Sequence, residues 1–335
     1  MQGRLLGKME SIGFAPVDAS LGTLTLDVVK SSEIEGEILN SEQVRSSIAR
    51  RLGLAIPGMV ASDRNVDGMV EMMLDATRQF NKPLTAKRLF AWHSSLFSSG
   101  RSRTSKINIG NWRTDFTGPM QVVSGPMGKE RVHFQAPDAA ILSKEMKGFF
   151  HWINHENKLD PVIKAAVAHL WFVTLHPFDD GNGRIARAIT DLLLARSDGT
   201  SQRFYSMSAQ IRLERKGYYD ILENTQNGNL DITKWLHWFL NCIKNALNAS
   251  GKTLDGVLYK AEFWRKYSEI VLNSRQKLLL NKLLDGFVGK LTSSKWATIA
   301  KCSPDTALRD IQDLVTKGVL HKEPGGGRST AYKIE

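Results

Sequence analysis

The chain has 335 residues, 42% apolar and 24% charged, which is more than one average domain needs and excludes a disordered or low-complexity protein. Its formal charge of +11 favours an anionic partner such as a nucleotide, a nucleic acid or an acidic protein surface. Cys242 and Cys302 lack metal-ligand or redox spacing, the opening MQGRLLGKMESIGF is too charged for a signal peptide, and no stretch reaches membrane-spanning length. Reduced core thiols and a cytoplasmic location are therefore expected, with no membrane partner.

In chain order, the periodicity predicts a short helix over Met1–Ile12 and a second over Ser31–Leu52, where Ile34, Ile38, Val44, Ile48 and Leu52 recur and Ser41 permits a restart. Helices are predicted at Asp67–Phe80 and Thr85–Phe97. From Ser98 to Pro137 glycine, serine, proline and arginine dominate, and Met120–Val123 and Val132–Phe134 flank a Gly-Pro-Met-Gly turn, the pattern of a β-hairpin in a long loop. Helical spacing returns at Pro137–Asn154 and at Pro161–Leu175, and again after a glycine-rich stretch, where Ile185, Ile189, Leu192 and Leu193 share a face.

Further helices are predicted at Arg215–Thr225, Ile232–Leu247 and Leu254–Leu272. A last unit then follows: helices Arg275–Leu284, Lys295–Ala300 and Pro304–Lys317, and two strand-like segments, Val319–Lys322 and Ala331–Ile334, around Pro-Gly-Gly-Gly-Arg328. That order is a winged helix-turn-helix pattern. The fold class is mainly α.

The loop clamped between the two core helices, His176-Pro-Phe-Asp-Asp-Gly-Asn-Gly-Arg184, has what a nucleotide's phosphates require. Gly181 and Gly183 admit close approach of an anion, and the following helix offers free N–H groups and a positive dipole end. Arg184 and Arg187 add charge-assisted donors, Asp180 is an oxygen ligand suited to Mg2+, and His176 is placed to deprotonate a hydroxyl near neutral pH. No Gly-Lys-Ser/Thr follows, against a P-loop, and no strand precedes the glycines, against a dinucleotide-binding fold.

His176-Pro-Phe-Asp-Asp-Gly-Asn-Gly-Arg-Ile-Ala-Arg187 is similar to the complete signature of the Fic (filamentation induced by cAMP) family. The resemblance implies a helical core with a β-hairpin flap over 89–250, preceded by an N-terminal helical region over 1–88. It is followed by a bridging helix over 251–272 and the winged unit over 273–335. It further implies transfer of AMP from Mg-ATP to a serine, threonine or tyrosine hydroxyl of a protein, self-modification included. His176 would then be the base and Asp180 the metal ligand. Asn182, Gly183, Arg184 and Arg187 would cradle phosphates, and Phe178 would pack the loop into the core. The hairpin carrying Val132, His133 and Phe134 looks like the flap that holds a target segment by strand addition. Tyr218 and Tyr219 resemble positions bordering adenine, with core packing the alternative, and Gln226 stands where relatives carry a polar base or ribose contact.

Ser31-Ser-Glu-Ile-Glu35-Gly36 resembles the family's inhibitory motif, in which the glutamate, here Glu35, pairs with Arg187 in place of the γ-phosphate. In relatives the same glutamate is linked to AMP removal, and the sequence does not separate a transferase from a bifunctional enzyme. The tail opens a different class of function, a DNA-binding regulator with a nucleotide-sensing Fic domain, in which Arg309, Lys317 and Arg328 would touch DNA. Lys301–Glu335 holds only six Lys/Arg against five Asp/Glu, however, which leaves protein docking equally open. A homodimer is expected by family analogy alone.

Overall fold

A computed structural model describes residues 16–54, 58–98, 100–102, 105–116, 118–126, 128–156, 158–284, 287, 289–323 and 330–335. The helix expected over Met1–Ile12 and the wing residue Arg328 lie outside them. The described chain divides into two compact units, one ending at Ser250 and the other running from Gly251.

The first unit contains helices α1 (Pro16–Ile34), α2 (Ser41–Leu52), α3 (Arg64–Arg78) and α4 (Ala86–Leu96), then α5 (Ala139–His155), α6 (Pro161–Leu175), α7 (Asn182–Asp198), α8 (Met207–Leu213) and α9 (Arg215–Gln226). Two antiparallel ribbons lie between α4 and α5: β1 (Arg101–Ser102) with β2 (Ser105–Lys106), and β3 (Gln121–Ser124) with β4 (Arg131–Gln135). Helix α10 (Thr233–Lys266) supplies Trp235, Phe239 and Cys242 to the same core.

Local chemistry sets the boundaries. Asn40, Asp63, Thr85, Asp138 and Asp160 accept backbone N–H bonds as N-caps of α2, α3, α4, α5 and α6, which otherwise leave these donors orphaned. Helix α7 is buried on nearly every face, from Asn182 through Ala195, and sits against α3, α4 and α6 at the centre of the core. Everything attached to its N-terminus is thereby held rigidly.

Three expectations are revised. Ser31 does not open a helix. It lies in the last turn of α1, which begins at Pro16 and ends before Gly36, whose φ of 84° turns the chain out of the helix. The predicted break between Leu247 and Leu254 is absent, because Asn248-Ala-Ser-Gly251 lowers helix propensity by at most about 1 kcal/mol at Gly251 and contains no proline. Helix α8 and the β1–β2 ribbon have no counterpart among the predicted elements.

The second unit packs α11 (Ser274–Leu284), α12 (Ser293–Ala300) and α13 (Pro304–Thr316) around Leu279, Leu280, Trp296, Ile311 and Leu314. It closes with the antiparallel pair β5 (Leu320–Lys322) and β6 (Tyr332–Ile334), and Leu291 bridges to Tyr332. No helix among the described residues is long and apolar enough to cross a membrane.

Candidate active site

The loop between α6 and α7 is fastened from both sides. His176 caps α6 in the left-handed region (φ 47°), and its carbonyl accepts from Arg113 Nε at 2.8 Å while the Arg113 N–H reaches Pro177 O. The buried Phe178 ring stacks on His93, 4.3 Å between centroids. Asn182 closes the loop on itself, its Oδ1 accepting from Phe178 N and its Nδ2 donating to Phe178 O. That amide therefore shapes the loop.

His176 Nδ1 lies 3.2 Å from the Val173 carbonyl, and donation there leaves Nε2 with an open lone pair. Burial and then the nearby Arg113 hold its pKa below the ordinary value against the pull of Glu35 and Asp180, so the ring is neutral at pH 7. A neutral ring with an open nitrogen is chemically able to accept a proton.

The start of α7 is an anion cradle. Gly181, its N-cap, has φ 83° and no side chain to satisfy the first N–H groups. A Cβ on Gly183 would stand 2.1 Å from Glu35 Oε1 and 3.2 Å from Arg187 Nη1, so a carboxylate already occupies the space that glycine leaves open. Arg187 is 2% exposed; its Nη2 donates to Glu35 Oε1 and to Ser31 O, and its Nε to Ser31 Oγ, each at 2.8 Å. Arg184 Nη1 donates to Glu37 Oε2 at 2.7 Å, and its guanidinium lies over the Phe97 ring. Arg187 Nη1 and Arg184 Nε are buried without a hydrogen-bond partner among the described residues. Orphaned donors of this kind beside a glycine cradle fit a polyanion larger than the carboxylate now present.

Asp180 is held in place by its neighbour Gly181 and by two groups distant in sequence. Its Oδ1 accepts from Gly181 N, its Oδ2 from Ser102 Oγ, and its carbonyl from His93 Nε2. His93 Nδ1 accepts from Gly110 N, which fixes the tautomer, and burial keeps the ring neutral with a pKa of about 4. Each Asp180 oxygen retains a lone pair, and one carboxylate beside an anion cradle is a donor set that could hold Mg2+ together with the oxygens of a bound polyphosphate. Among the described residues no three His, Cys, Asp or Glu side chains form an all-protein metal cage.

A cavity of about 470 Å3 brings part of this set together, lined by Glu35, His176, Gly183, Tyr218, Tyr219, Gln226 and the hairpin residues Val122, Val123, Ser124, His133 and Phe134, while Arg184 lines another cavity. The two tyrosines differ. Tyr218 donates its hydroxyl inward to His169 Nε2 at 2.8 Å, with His169 Nδ1 against Thr190 Oγ1, a closed buried chain. Tyr219 has its hydroxyl 3.5 Å from the Ile34 carbonyl and its ring against Arg215, so it faces the end of α1. Gln226 Nε2 donates to Thr174 Oγ1 at 3.2 Å. Val132 is exposed and Phe134 buried, and of the two only Phe134 lines the cavity.

Sequence reasoning missed His93, Ser102 and Arg113. His93 and Arg113 show no sequence signal beyond a polar residue at a buried position. In the second unit, Arg309 is exposed and Lys317 Nζ bonds Asp313 and the Val271 carbonyl.

Residues 83–194 match the family model described as Fic/DOC family, and residues 1–54 match one described as a domain of unknown function (DUF4172). "Protein adenylyltransferase Fic" of Drosophila virilis is 27% identical over 232 residues, 66% of this chain and 41% of the fly protein. "Protein adenylyltransferase fic-1" of Caenorhabditis elegans is 30% identical over 178 residues, 52% of this chain and 32% of the worm protein. The chain thus spans less than half the length of the curated relatives it matches. A Fic family protein from Desulfovibrio desulfuricans G20 superposes with a TM-score of 0.56 at 18% identity, over 99% of this chain and 93% of that one. A Fic domain containing signaling protein from Bacteroides thetaiotaomicron gives 0.53 at 21% identity, over 78% and 96%. Both share the fold.

Proposed function

Since the chain belongs to the Fic/DOC family through residues 83–194, we propose that it is a protein adenylyltransferase that moves AMP from ATP to a protein hydroxyl and is held inactive by Glu35. The observation that carries this reading is the Glu35 carboxylate seated on Gly183 against Arg187, an internal anion in a cradle that still has unpartnered donors. The glutamate stands in for a phosphate.

In the reaction, the helix N-terminus, Arg184 and Arg187 bind the polyphosphate and stabilise the charge that builds on it. His176 Nε2 takes the proton from the acceptor hydroxyl as its oxygen bonds to the α-phosphorus. The bond from that phosphorus to the bridging oxygen breaks, and pyrophosphate leaves. Asp180 would hold Mg2+, which neutralises phosphate charge when bound. The hairpin presents the acceptor segment, and Tyr219 and Gln226 border the base. The second unit has the element order of a winged helix-turn-helix, and we read it as a docking module, because Lys317 is already committed to Asp313.

The test is incorporation of label from α-labelled ATP with Mg2+ into the protein itself or added protein, comparing parent, Glu35→Gly and His176→Ala. Labelling that rises with Glu35→Gly and disappears when His176→Ala is added to it is expected. Absence of label in every variant would refute the proposal.

A further inference from the structure

The β3–β4 hairpin is bolted to α9 by a network that the transfer chemistry described above does not use. In the ladder Val122 pairs with Phe134 and Val123 with Val132, so His133 is an extra residue on β4, a β-bulge. Bulges re-aim a side chain and free its backbone groups. Here the freed carbonyl of His133 accepts from Asn227 Nδ2 at 2.9 Å, at the C-terminal end of α9. The re-aimed ring places Nδ1 2.6 Å from Glu223 Oε2 and Nε2 2.6 Å from Ser124 Oγ. The ring thus meets the carboxylate through one nitrogen and the serine hydroxyl through the other, which ties both strands to one group. The other carboxylate oxygen of Glu223 takes Arg131 of β4. One side chain on α9 therefore holds two residues of β4 directly and β3 through His133.

Glu223, His133 and Ser124 line the same cavity as His176 and Gly183. A hairpin that offers its edge to an acceptor strand sets the distance from acceptor oxygen to phosphorus, and an error of about 1 Å in such a distance can cost about a hundredfold in rate. A two-stranded ribbon has little stability of its own to maintain that distance. We propose that Glu223 is a positioning residue for AMP transfer: through His133 and Arg131 it fixes the hairpin over the cavity and so sets where the acceptor hydroxyl meets His176. This inference rests on the adenylyltransferase reading and goes beyond it by assigning the hairpin's position to one carboxylate.

The experiment uses the full chain in the Glu35→Gly background, with label from α-labelled ATP as the readout, and compares Glu223→Gln, His133→Ala and the double variant. Glu223→Gln is expected to lower the maximal rate of protein labelling by roughly ten- to a hundredfold, while KM for ATP moves less than about twofold. The double variant should be no slower than the slower single one, since both break one linkage. Amide exchange should quicken over 121–135 in Glu223→Gln and stay unchanged in α6 and α7. Parent-like labelling by Glu223→Gln would overturn the inference and leave the adenylyltransferase reading intact. A rise in KM for ATP at unchanged maximal rate would also overturn it, by making Glu223 a nucleotide contact. If the Glu35→Gly parent labels nothing, the reading itself falls and the inference with it.

Discussion

Helix α1 is held at two places, one beside a buried arginine and one directly by another, and the two contacts are built differently. Midway along it, Asp27 accepts from Ser206 Oγ at 2.5 Å inside a cluster where Arg203, 4% exposed, pairs with Asp191, 1% exposed. At its end, Arg187 is 2% exposed but its partner Glu35 is 30% exposed and lines an open cavity. Both partners of the first pair are sealed, and releasing either would strand a buried charge. In the second, the glutamate can rotate into water while Arg187 keeps the Ser31 carbonyl and hydroxyl as acceptors. On the proposed function, the first contact would serve as an anchor and the second as a latch, and a helix so held would open the anion cradle without leaving the core.

The sharpest way to break that distinction is to remove the anchor. Arg203→Met leaves Asp191 buried without its cation and should lower unfolding stability by about 3–5 kcal/mol, measured by urea denaturation. A loss under about 1 kcal/mol would show that the cluster is no anchor. The latch should behave in the opposite way. Glu35→Gly should change the unfolding midpoint little, while tightening a non-hydrolysable ATP analogue by up to about a hundredfold, read by calorimetric titration. A large stability loss with no gain in affinity would make Glu35 a structural residue.

The anchor also carries a proton. Burial first, and then the neighbouring Asp191, push the Asp27 carboxyl from 3.8 up to about 8, against the pull of Arg203. Between about pH 4 and 8 the folded chain keeps a proton that the unfolded chain releases, so this group's stabilisation is complete at the acid end and is lost as pH rises through the window. The slope is up to ~1.4 kcal/mol per pH unit. Asp27→Asn removes the titration, and the stability difference between variant and parent should grow in the variant's favour from about pH 5.5 to 7.5. A difference that stays constant with pH would mean that Asp27 is ionised throughout.

The same contrast explains how much could be read from sequence. His176, Asp180, Gly183, Arg184 and Arg187 lie within twelve residues, and their spacing on one loop and one helix turn is fixed by local geometry. Glu35 was legible because its four-residue spacing from Ser31 survives in the last turn of α1 and the Gly36 turn after it. The anchor was not legible, because Asp27, Asp191, Arg203 and Ser206 meet only in three dimensions. Nor was α1 before Ser31: Leu24-Thr-Leu-Asp-Val28 alternates apolar and polar residues with the period of a strand, not of a helix. Burial of Leu21, Leu24, Thr25, Asp27, Val28 and Val29 leaves that stretch without a sustained polar face. The hairpin could be foreseen from its turn, whereas the bulge at His133 and its clasp by Glu223 depend on a helix about ninety residues later.

The smallest effect belongs to Glu37. Its carboxylate takes Arg184 Nη1 at 2.7 Å and is 39% exposed, and it lines a second cavity, of about 350 Å3, with Ser32, Arg101 and Ser102. Glu35 and Glu37 thus occupy one signature arginine each, with Gly36 providing the turn that sends them to different cavities. A partly exposed pair of this kind contributes under about 1 kcal/mol, so Glu37→Ala alone should tighten the ATP analogue no more than about fivefold. Added to Glu35→Gly it should act independently, because the two carboxylates engage different guanidinium groups. If the double variant binds no more tightly than Glu35→Gly, the latch is a single carboxylate. If Glu37→Ala alone matches Glu35→Gly, the two contacts open as one unit, and the tip of α1 leaves the cradle as a whole.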